Sequence, residues 1–293
     1  MPDRPPPRRL PEWEERLSSR LFTALTPHLP RAPQPPVPSG LAPHLDLAVE
    51  RPHGGPLTAV WFPAAGPPRG AVLLLHPWVP GGKSYFYRRG RVQALRAAGY
   101  HSLAIDFSGF GGSGPRYGFL HRDVEAGLAA LRERAGDLPL HVWGVSSGGY
   151  WAHPVLSATD EVAGAMFEDV ASHLTDWGWQ TMPSWRPGYL LFRHLFHRAY
   201  RFLDIRRHAA ALRVAAATYL SGERDRQVRP EDTRELARLA GAECRIVPGA
   251  DHFGAIVVAN AEVIRLALAT FRKAGEARSP AEEEAEEEEA VST

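Results

Sequence analysis

The chain has 293 residues, of which 44% are hydrophobic, with a net charge of +1 and a single cysteine, Cys244. This composition allows a sizeable core in one large α/β domain or two small ones. A single cysteine excludes an internal disulfide and a cysteine-rich zinc site, and no apolar stretch is long enough to predict a transmembrane helix. The opening residues, MPDRPPPRRL, lack the apolar segment of a secretory signal, so we expect a cytoplasmic protein.

Residues 1–40 form a proline-rich N-terminal extension. One segment, PEWEERLSSRLFTAL, predicts an amphipathic helix because four apolar residues recur at intervals of four: Trp13, Leu17, Leu21 and Leu25. We expect this helix to dock on the main domain rather than on a membrane surface. The segment PQPPVPSG that follows is typical of a stiff linker.

Residues 41–274 alternate between strand-like and helix-like segments. HLDLAVE and LTAVWFP flank a turn and predict an antiparallel strand pair. The next strand, GAVLLLH, is a continuous apolar run, as expected for a strand covered on both faces. Five more strands follow: YHSLAIDF, LHVWGV, VAGAMFEDV, RVAAATYLSG and AECRIVPG. Four helices are predicted, near residues 120–135, 147–157, 230–240 and 253–272. This alternation predicts an α/β fold with a mostly parallel central sheet and helices on both faces.

Residues 275–293 form an acidic tail, whose last segment, AEEEAEEEEAVST, carries seven glutamates. Removing those seven negative charges from the net charge of +1 leaves +8 on the rest of the chain. Because such a run of like charges repels itself, we expect a disordered and solvated tail.

The segment Gly144-Val145-Ser146-Ser147-Gly148 matches the pattern G-x-S-x-G between a predicted strand and a helix-compatible stretch. A sharp strand-to-helix turn of this kind, the nucleophile elbow, needs flanking positions without side-chain bulk and puts the serine oxygen at the carboxyl edge of the sheet. Ser147 does not fit the pattern, since Val145 would then occupy the first glycine position. The simpler interpretation is a tight turn that needed only small residues.

Two later loops supply partners for Ser146. A serine hydroxyl is a poor nucleophile unless a base takes its proton and a third group orients that base. Asp225 follows the seventh strand and His252 follows the eighth. Taken singly, Asp225 is typical of a solvated turn residue and His252 of a residue at a helix start. Together with Ser146, in this order and each at a strand end, they predict a Ser-His-Asp triad. Glu168 and Asp169, which end the sixth strand, are the alternative acids.

These segments resemble the α/β-hydrolase superfamily, in particular its serine esterase and serine peptidase-like branch, over roughly residues 45–272. The segments that carry the resemblance are GVSSGG, GERDRQVRP, GADHFG and the glycine-rich DFSGFGGSG. The resemblance implies an α/β-hydrolase fold with a small helical cap. It also implies Ser146 as nucleophile, Asp225 as orienting acid and His252 as base, with no cofactor and no metal.

The loop after the third strand departs from the family pattern. The resemblance implies an oxyanion hole with two backbone N–H donors, one from Ser147 and one from this loop, where the family commonly has His-Gly-x. This chain has His76-Pro77-Trp78 instead. Because proline has no N–H to donate, we predict Trp78 as the second donor. We expect His76 to organise the loop rather than to act as a base.

Residues at about 171–210, where the family inserts a cap, are the most aromatic part of the chain. From residue 189 onward the apolar spacing of three to four predicts helix. The aromatic side chains either pack a helix on the core or line a substrate pocket beneath a lid. We predict three tryptophans as substrate-binding residues: Trp177, Trp179 and Trp185. His194 and His197 have no carboxylate motif nearby and are weak candidates for a metal site.

The glycine-rich loop also fits G-x-G-x-x-G over residues 109–114, a spacing typical of dinucleotide-binding domains. The loop lies well beyond its strand, and Pro115 and the residues after it delay the helix that should begin within the motif. We therefore expect no nucleotide cofactor.

The sequence thus predicts a single-domain serine hydrolase that cleaves an ester or similar acyl bond of a small-molecule substrate through an acyl-enzyme. A peptidase, an amidase or an acyltransferase with the same triad is the alternative among enzymes. A non-catalytic binding protein on the same fold is the alternative outside them, and the intact triad argues against it. We expect no nucleic-acid partner and no stable membrane insertion.

Overall fold

A computed structural model of the chain describes residues 9–25, 34–116 and 118–291. At residues 25, 88, 176 and 278–291 it describes the backbone alone. Two parts of the predicted N-terminal extension, residues 1–8 and 26–33, lie outside the described residues.

One eight-stranded sheet organises the described chain. Its strands are β1 (Leu45–Val49), β2 (Leu57–Phe62), β3 (Gly70–Leu75), β4 (Tyr100–Ile105), β5 (Leu140–Val145), β6 (Val162–Glu168), β7 (Ala216–Gly222) and β8 (Glu243–Val247). Their order across the sheet is β1-β2-β4-β3-β5-β6-β7-β8. Strand β2 pairs antiparallel with both β1 and β4, and every other pair is parallel. The mostly parallel sheet predicted from the sequence is therefore confirmed.

Helices cover both faces of this sheet. They are α1 (Glu12–Leu25), α2 (Arg91–Ala97), α3 (His121–Ala135), α4 (Ser147–Leu156), α5 (Leu174–Thr181), α6 (Arg186–Leu195), α7 (His197–Phe202), α8 (Ile205–Ala209), α9 (Pro230–Ala240), α10 (Ala255–Val258) and α11 (Asn260–Val291). Because successive side chains of a strand point to opposite faces, Val142 of β5 packs in one apolar core and Trp143 in the other. All of β3 and β5 is buried, as a strand covered on both faces requires.

The four helices predicted in the main domain are present, the last of them as α10 and α11. Helix α2 was not predicted, because its seven residues RVQALRA are too short for a clear apolar period. Helices α5–α8 lie between β6 and β7, where the cap was predicted.

Helix α1 docks on the cap, but through a different face from the one predicted. Trp13 and Leu17 are 62% and 50% exposed. The buried face carries five residues: Glu14, Glu15, Ser18, Ser19 and Phe22. The Glu15 carboxylate accepts hydrogen bonds of 2.7 and 3.0 Å from the Arg122 guanidinium of α3, and the Phe22 ring packs against an α6 phenylalanine at 5.7 Å. The four-residue apolar spacing was misleading because the docking face is built around an ion pair.

Helix α11 continues through the acidic tail to Val291. Alanine and glutamate are strong helix formers, and a segment that extends an existing helix avoids the cost of nucleation. The side chains of its glutamates lie outside the described part of the chain. In the described residues, no helix has both the length and the apolar character needed to span a membrane.

Candidate active site

Ser146 lies at the sharp turn between β5 and α4, with backbone angles φ 49° and ψ −115°. A residue with a side chain rarely adopts such a φ, and strain of this kind concentrates at functional sites. A Cβ on Gly144 would lie 2.5 Å from the Cα of Gly149, and a Cβ on Gly148 would overlap the carbonyl group of Leu75. Only glycine fits at these two positions, which is the restriction that G-x-S-x-G expresses. A turn that merely needed small residues does not account for the strained serine.

The structure brings together the three residues predicted to form the triad. The Ser146 Oγ lies 3.4 Å from His252 Nε2, and His252 Nδ1 lies 2.7 Å from Asp225 Oδ2. The other oxygen, Asp225 Oδ1, accepts hydrogen bonds from the backbone N–H groups of Gln227 at 2.8 Å and Val228 at 2.9 Å. Because an ionised carboxylate only accepts hydrogen bonds, it holds the proton on Nδ1 and leaves the Nε2 lone pair facing the serine. A serine–histidine distance of 3.4 Å fits a site without substrate, where such contacts are commonly long.

Glu168, one of the two alternative acids, is engaged elsewhere. Its carboxylate accepts hydrogen bonds from both terminal nitrogens of the Arg91 guanidinium, at 2.8 and 2.9 Å, and from Trp143 Nε1 at 2.5 Å. The pair is buried, with Arg91 fully enclosed. Burying this carboxylate without its partner would be strongly unfavourable, so Glu168 has a structural role.

Asp169, the other alternative acid, lies behind the histidine loop. Its carboxylate accepts hydrogen bonds from the backbone N–H groups of Gly222 at 3.3 Å and Phe253 at 3.1 Å, which joins the two loops that carry Asp225 and His252. Burial raises the pKa of Asp169 to about 7, while the nearby His252 ring acts in the opposite direction. Asp169 therefore stabilises the two loops through hydrogen bonds, and its carboxyl group titrates near neutral pH.

Among the described residues, one group of side chains has the spacing of metal ligands, with donor atoms within 4.8 Å of one another: Asp169, Asp225 and His252. The Nδ1 of His252 and the Oδ2 of Asp225 are already paired at 2.7 Å, and both oxygens of Asp169 accept backbone N–H groups. A cation would have to break the histidine–carboxylate contact, so this donor set suits proton transfer better than metal binding. His194 and His197 are exposed on the cap.

The loop after β3 is held by His76, as expected. The buried ring donates from Nδ1 to the carbonyl of Pro77 at 2.7 Å, and its Nε2 accepts the backbone N–H of Phe107 at 3.0 Å. Burial lowers the pKa of His76, which keeps the ring neutral for these two bonds. His76 thus fixes the course of the chain into Trp78, which lines the same pocket as Ser146 and Ser147.

The two residues predicted to supply the oxyanion donors, Ser147 and Trp78, line the same pocket as Ser146. The N–H of Ser147 is the first of helix α4 and has no partner within the helix. For the N–H of Trp78 the structure shows no hydrogen-bond acceptor among the described residues. An oxyanion hole requires two such donors aimed at the reacting carbonyl, so the assignment of Ser147 and Trp78 stays a prediction.

The glycine-rich loop wraps a buried carboxylate, that of Asp106. The carboxylate accepts hydrogen bonds from Lys83 Nζ at 2.5 Å, from Gln34 Nε2 at 2.6 Å and from Thr58 Oγ1 at 2.7 Å. A Cβ on Gly111 would overlap this carboxylate. The glycines therefore make room for an internal ion pair, and helix α3 begins only beyond the loop. This accounts for the motif without a bound nucleotide.

Ser146 opens into an apolar pocket of about 560 Å³, including its solvent-open mouth. It is lined by Phe22, Trp78, Arg116, Ser146, Ser147, Tyr150, Trp151, Ala171, Leu174, Trp177 and Val228. Of the three tryptophans predicted to contact substrate, Trp177 lines this pocket. Trp179 lines a neighbouring cavity and stacks against the Arg186 guanidinium at 5.1 Å. Trp185 is half-buried at the short turn before α6, and the structure does not bring it to either cavity.

Sequence reasoning missed five lining residues from outside the cap: Phe22, Arg116, Tyr150, Trp151 and Val228. Phe22 belongs to the helix that was predicted, and its signal was lost because Trp13 and Leu17 defined the wrong face. Arg116 follows the glycine-rich loop directly, and nothing in its local sequence distinguishes it from a solvated arginine.

A family model described as the alpha/beta hydrolase family matches residues 72–266. A search of curated proteins finds no match. Many solved structures are similar, among them an esterase of Pyrococcus furiosus with a TM-score of 0.67 and 20% identity, covering 83% of this chain and 98% of that one. A carboxyl esterase of Bacillus coagulans has a TM-score of 0.63 and 14% identity, covering 79% of this chain and 99% of that one. A puromycin-hydrolyzing peptidase of Mycobacterium tuberculosis has a TM-score of 0.59 and 20% identity, covering 78% of this chain and 38% of that one. At these identities the likeness establishes a common fold.

Proposed function

Because this chain belongs to the α/β hydrolase family, we propose that it is a serine hydrolase that cleaves an ester or similar acyl bond. The observation that carries the proposal is the hydrogen-bonded relay from Asp225 through His252 to Ser146. The relay ends on a strained turn that opens into an apolar pocket. A binding protein has no need of these three groups in contact.

In the proposed reaction, Ser146 Oγ attacks the carbonyl carbon of the substrate while His252 Nε2 takes its proton. Asp225 stabilises the imidazolium that forms, and the N–H groups of Ser147 and Trp78 bind the oxyanion of the tetrahedral intermediate. The intermediate collapses when His252 returns the proton to the leaving group, which leaves an acyl-enzyme on Ser146. A water molecule, deprotonated by the same histidine, then releases the acid and restores the enzyme.

We infer an ester rather than an amide as the substrate bond. The two esterases are covered over 98% and 99% of their length, whereas the peptidase is covered over 38%. Peptidase, amidase and acyltransferase activities use the same relay and remain the alternatives. The aromatic lining of the pocket fits an apolar acyl or aromatic group.

The test is a substrate profile of the wild-type protein and the Ser146→Ala variant. The panel consists of 4-nitrophenyl esters of graded acyl length, matching thioesters and aminoacyl 4-nitroanilides. We expect ester turnover with a pre-steady-state burst of 4-nitrophenol, the kinetic sign of an acyl-enzyme. In the variant kcat should fall by about 10⁶-fold, as when triads are dissected elsewhere. Full activity in the variant would contradict the proposal, and faster anilide than ester turnover would reassign the enzyme as a peptidase.

A further inference from the structure

Two helices, α1 and α6, leave large apolar side chains exposed to solvent. Five such residues, each at least half exposed, form what we call the outer apolar face: Trp13 and Leu17 of α1, and Leu190, Leu191 and Leu195 of α6. The apolar side of α1 was expected to dock on the main domain, but the helix docks through its other side. The fold therefore does not account for this face. Exposed apolar patches rimmed by polar residues mark sites that bind a protein or a membrane.

Two contacts place α6 and α7 alongside α1, in the opposite direction. The ring of Phe22 packs against that of Phe192 at 5.7 Å, and nearer the start of α1 the Glu14 carboxylate pairs with Arg198 of α7 at 3.8 Å. Both aromatic rings belong to one buried core, so the opposite sides of the two helices face solvent. Leu17 lies between these contacts along α1, as the last leucine of the face does along α6 and α7. The exposed apolar residues of the two helices are therefore neighbours on one surface.

Arginines accompany the outer apolar face on both helices. Exposed Arg16 and Arg20 lie on α1, four residues apart. Between residues 186 and 209 the chain has six arginines and one acidic residue, Asp204, which pairs with an arginine of the same segment at 2.6 Å. Arg16 contacts the exposed Glu12 at 3.0 Å, a pair that contributes little in water. The face thus combines exposed apolar side chains with an excess of positive charge.

This combination fits one kind of occupant better than the others. Apolar side chains interspersed with arginines on a surface helix are typical of binding to the headgroup region of an anionic lipid bilayer. A second copy of this chain would bring arginines against arginines, which is unfavourable. The acidic tail AEEEAEEEEAVST would supply negative charge, but it has no apolar side chain larger than valine to cover a tryptophan and four leucines.

We propose that the outer apolar face binds reversibly to an anionic lipid surface. Trp13 and the leucines reach the boundary between headgroups and acyl chains, while the arginines contact the anionic headgroups. This is binding at the surface of the bilayer, and no segment needs to cross it. Helix α1 lies outside residues 72–266, which match the family model, so half of the face is an addition of this chain to the family fold.

Co-sedimentation of the full-length protein with lipid vesicles tests the proposal. The measurement involves no turnover, so its outcome is independent of the proposed hydrolysis. One set of vesicles consists of phosphatidylcholine alone, and the other contains about 30% phosphatidylserine. We expect binding to the anionic vesicles that is roughly 10-fold or more tighter than to the neutral ones and that weakens as salt is added. Absence of binding to the anionic vesicles would overturn the proposal.

A first pair of variants tests the apolar contribution. Trp13→Ala/Leu17→Ala should weaken binding to the anionic vesicles by roughly 10-fold or more, because it removes apolar surface that enters the lipid. The matched control is Val257→Ala/Val258→Ala on α10, where the two valines are 63% and 61% exposed. This control should bind as the wild type does, and both variants should keep the wild-type Tm. Unchanged binding in the first variant, or equal loss in both, would refute the assignment of the face.

A second pair tests the charge. Arg16→Gln/Arg20→Gln should weaken binding by roughly 10-fold, as expected for two basic residues near an anionic surface. The control Arg234→Gln/Arg238→Gln removes two exposed arginines with the same spacing from α9 and should leave binding unchanged. Equal losses in both would indicate attraction by net charge alone and would refute the proposed face.

Sedimentation velocity without vesicles tests the second copy as occupant. The wild-type protein should remain unchanged in size over the concentrations used for vesicle binding. A dimer that Trp13→Ala/Leu17→Ala abolishes, together with no binding to vesicles, would overturn the lipid surface in favour of self-association.

Discussion

Replacing Asp225 with asparagine should reverse the tautomer of His252 while leaving the fold intact. The Oδ1 atom of Asp225 accepts two backbone N–H groups, at 2.8 and 2.9 Å, so the amide oxygen of an asparagine must take that position. Its NH₂ group then faces His252 Nδ1 across the present 2.7 Å contact. A donor there forces the imidazole proton onto Nε2, which faces the serine. The ring can no longer accept the proton of Ser146.

The expected loss in kcat is about 10⁴-fold, the size found when the same change is made in a dissected triad. This corresponds to a barrier increase of roughly 5 kcal/mol. Stability should change little, because the variant keeps the volume and both backbone hydrogen bonds of Asp225. The assay is the steady-state hydrolysis of 4-nitrophenyl butanoate, with thermal unfolding of the same samples. Asp169→Asn is the matched control, since Asp169 binds backbone N–H groups rather than the imidazole, and it should cost far less.

The reverse ranking of these two variants would transfer the orienting role to Asp169. Comparable partial losses in both would mean that the two carboxylates share it. Retention of most of the activity in Asp225→Asn would contradict the tautomer reasoning altogether.

Three further predictions concern the pocket and the residue behind it. Trp177→Ala should change the relative kcat/KM across acyl lengths, whereas Trp179→Ala should leave the acyl preference unchanged. If the two variants had identical acyl-length profiles, Trp177 would not belong to the substrate site. Phe22→Ala should raise KM for long acyl esters and lower the free energy of unfolding in urea by roughly 3 kcal/mol or more. Leu17→Ala, on the exposed face of α1, should do neither. Equal effects of the two substitutions would contradict the assignment of Phe22 to the docking face of α1. Because the pKa of Asp169 is raised to about 7, the folded chain keeps its proton to higher pH than the unfolded chain, so stability falls as pH rises from about 4 to about 7. The Asp169→Asn variant lacks this titration. The difference in free energy of unfolding between the variant and the wild type, measured in urea, should therefore shift in favour of the variant by up to roughly 1.4 kcal/mol per pH unit over that range. A difference that does not change with pH would refute the assignment of this titration to Asp169.

The sheet and the relay were predictable because their signals are local. An apolar run followed by a glycine-bounded serine fixes both a strand and the turn after it, since Gly144 and Gly148 have no room for a Cβ. The loops that follow parallel strands meet at one edge of the sheet. The positions of Ser146, Asp225 and His252 after three such strands were therefore enough to predict that they lie close together.

The docking of α1 and the position of Arg116 were not predictable in this way. The face of α1 is decided by Arg122, more than a hundred residues further along the chain, whose partner Glu15 has no apolar signal. Arg116 becomes part of the pocket because α1 and the cap enclose it. Such contacts between distant segments produce no periodic pattern in the sequence. The apolar spacing of Trp13 and Leu17 instead predicted a different docking face of α1.

Covalent labelling with a fluorophosphonate probe, followed by peptide mapping, tests the central claim most directly. The relay should make Ser146 the labelled residue, and Ser146→Ala should lose the label while keeping its melting temperature. Ser147→Ala, which keeps its backbone N–H, should still be labelled at Ser146. Label that persists in Ser146→Ala, or that maps to Ser147 or Ser113, would contradict the assignment of Ser146 as the nucleophile.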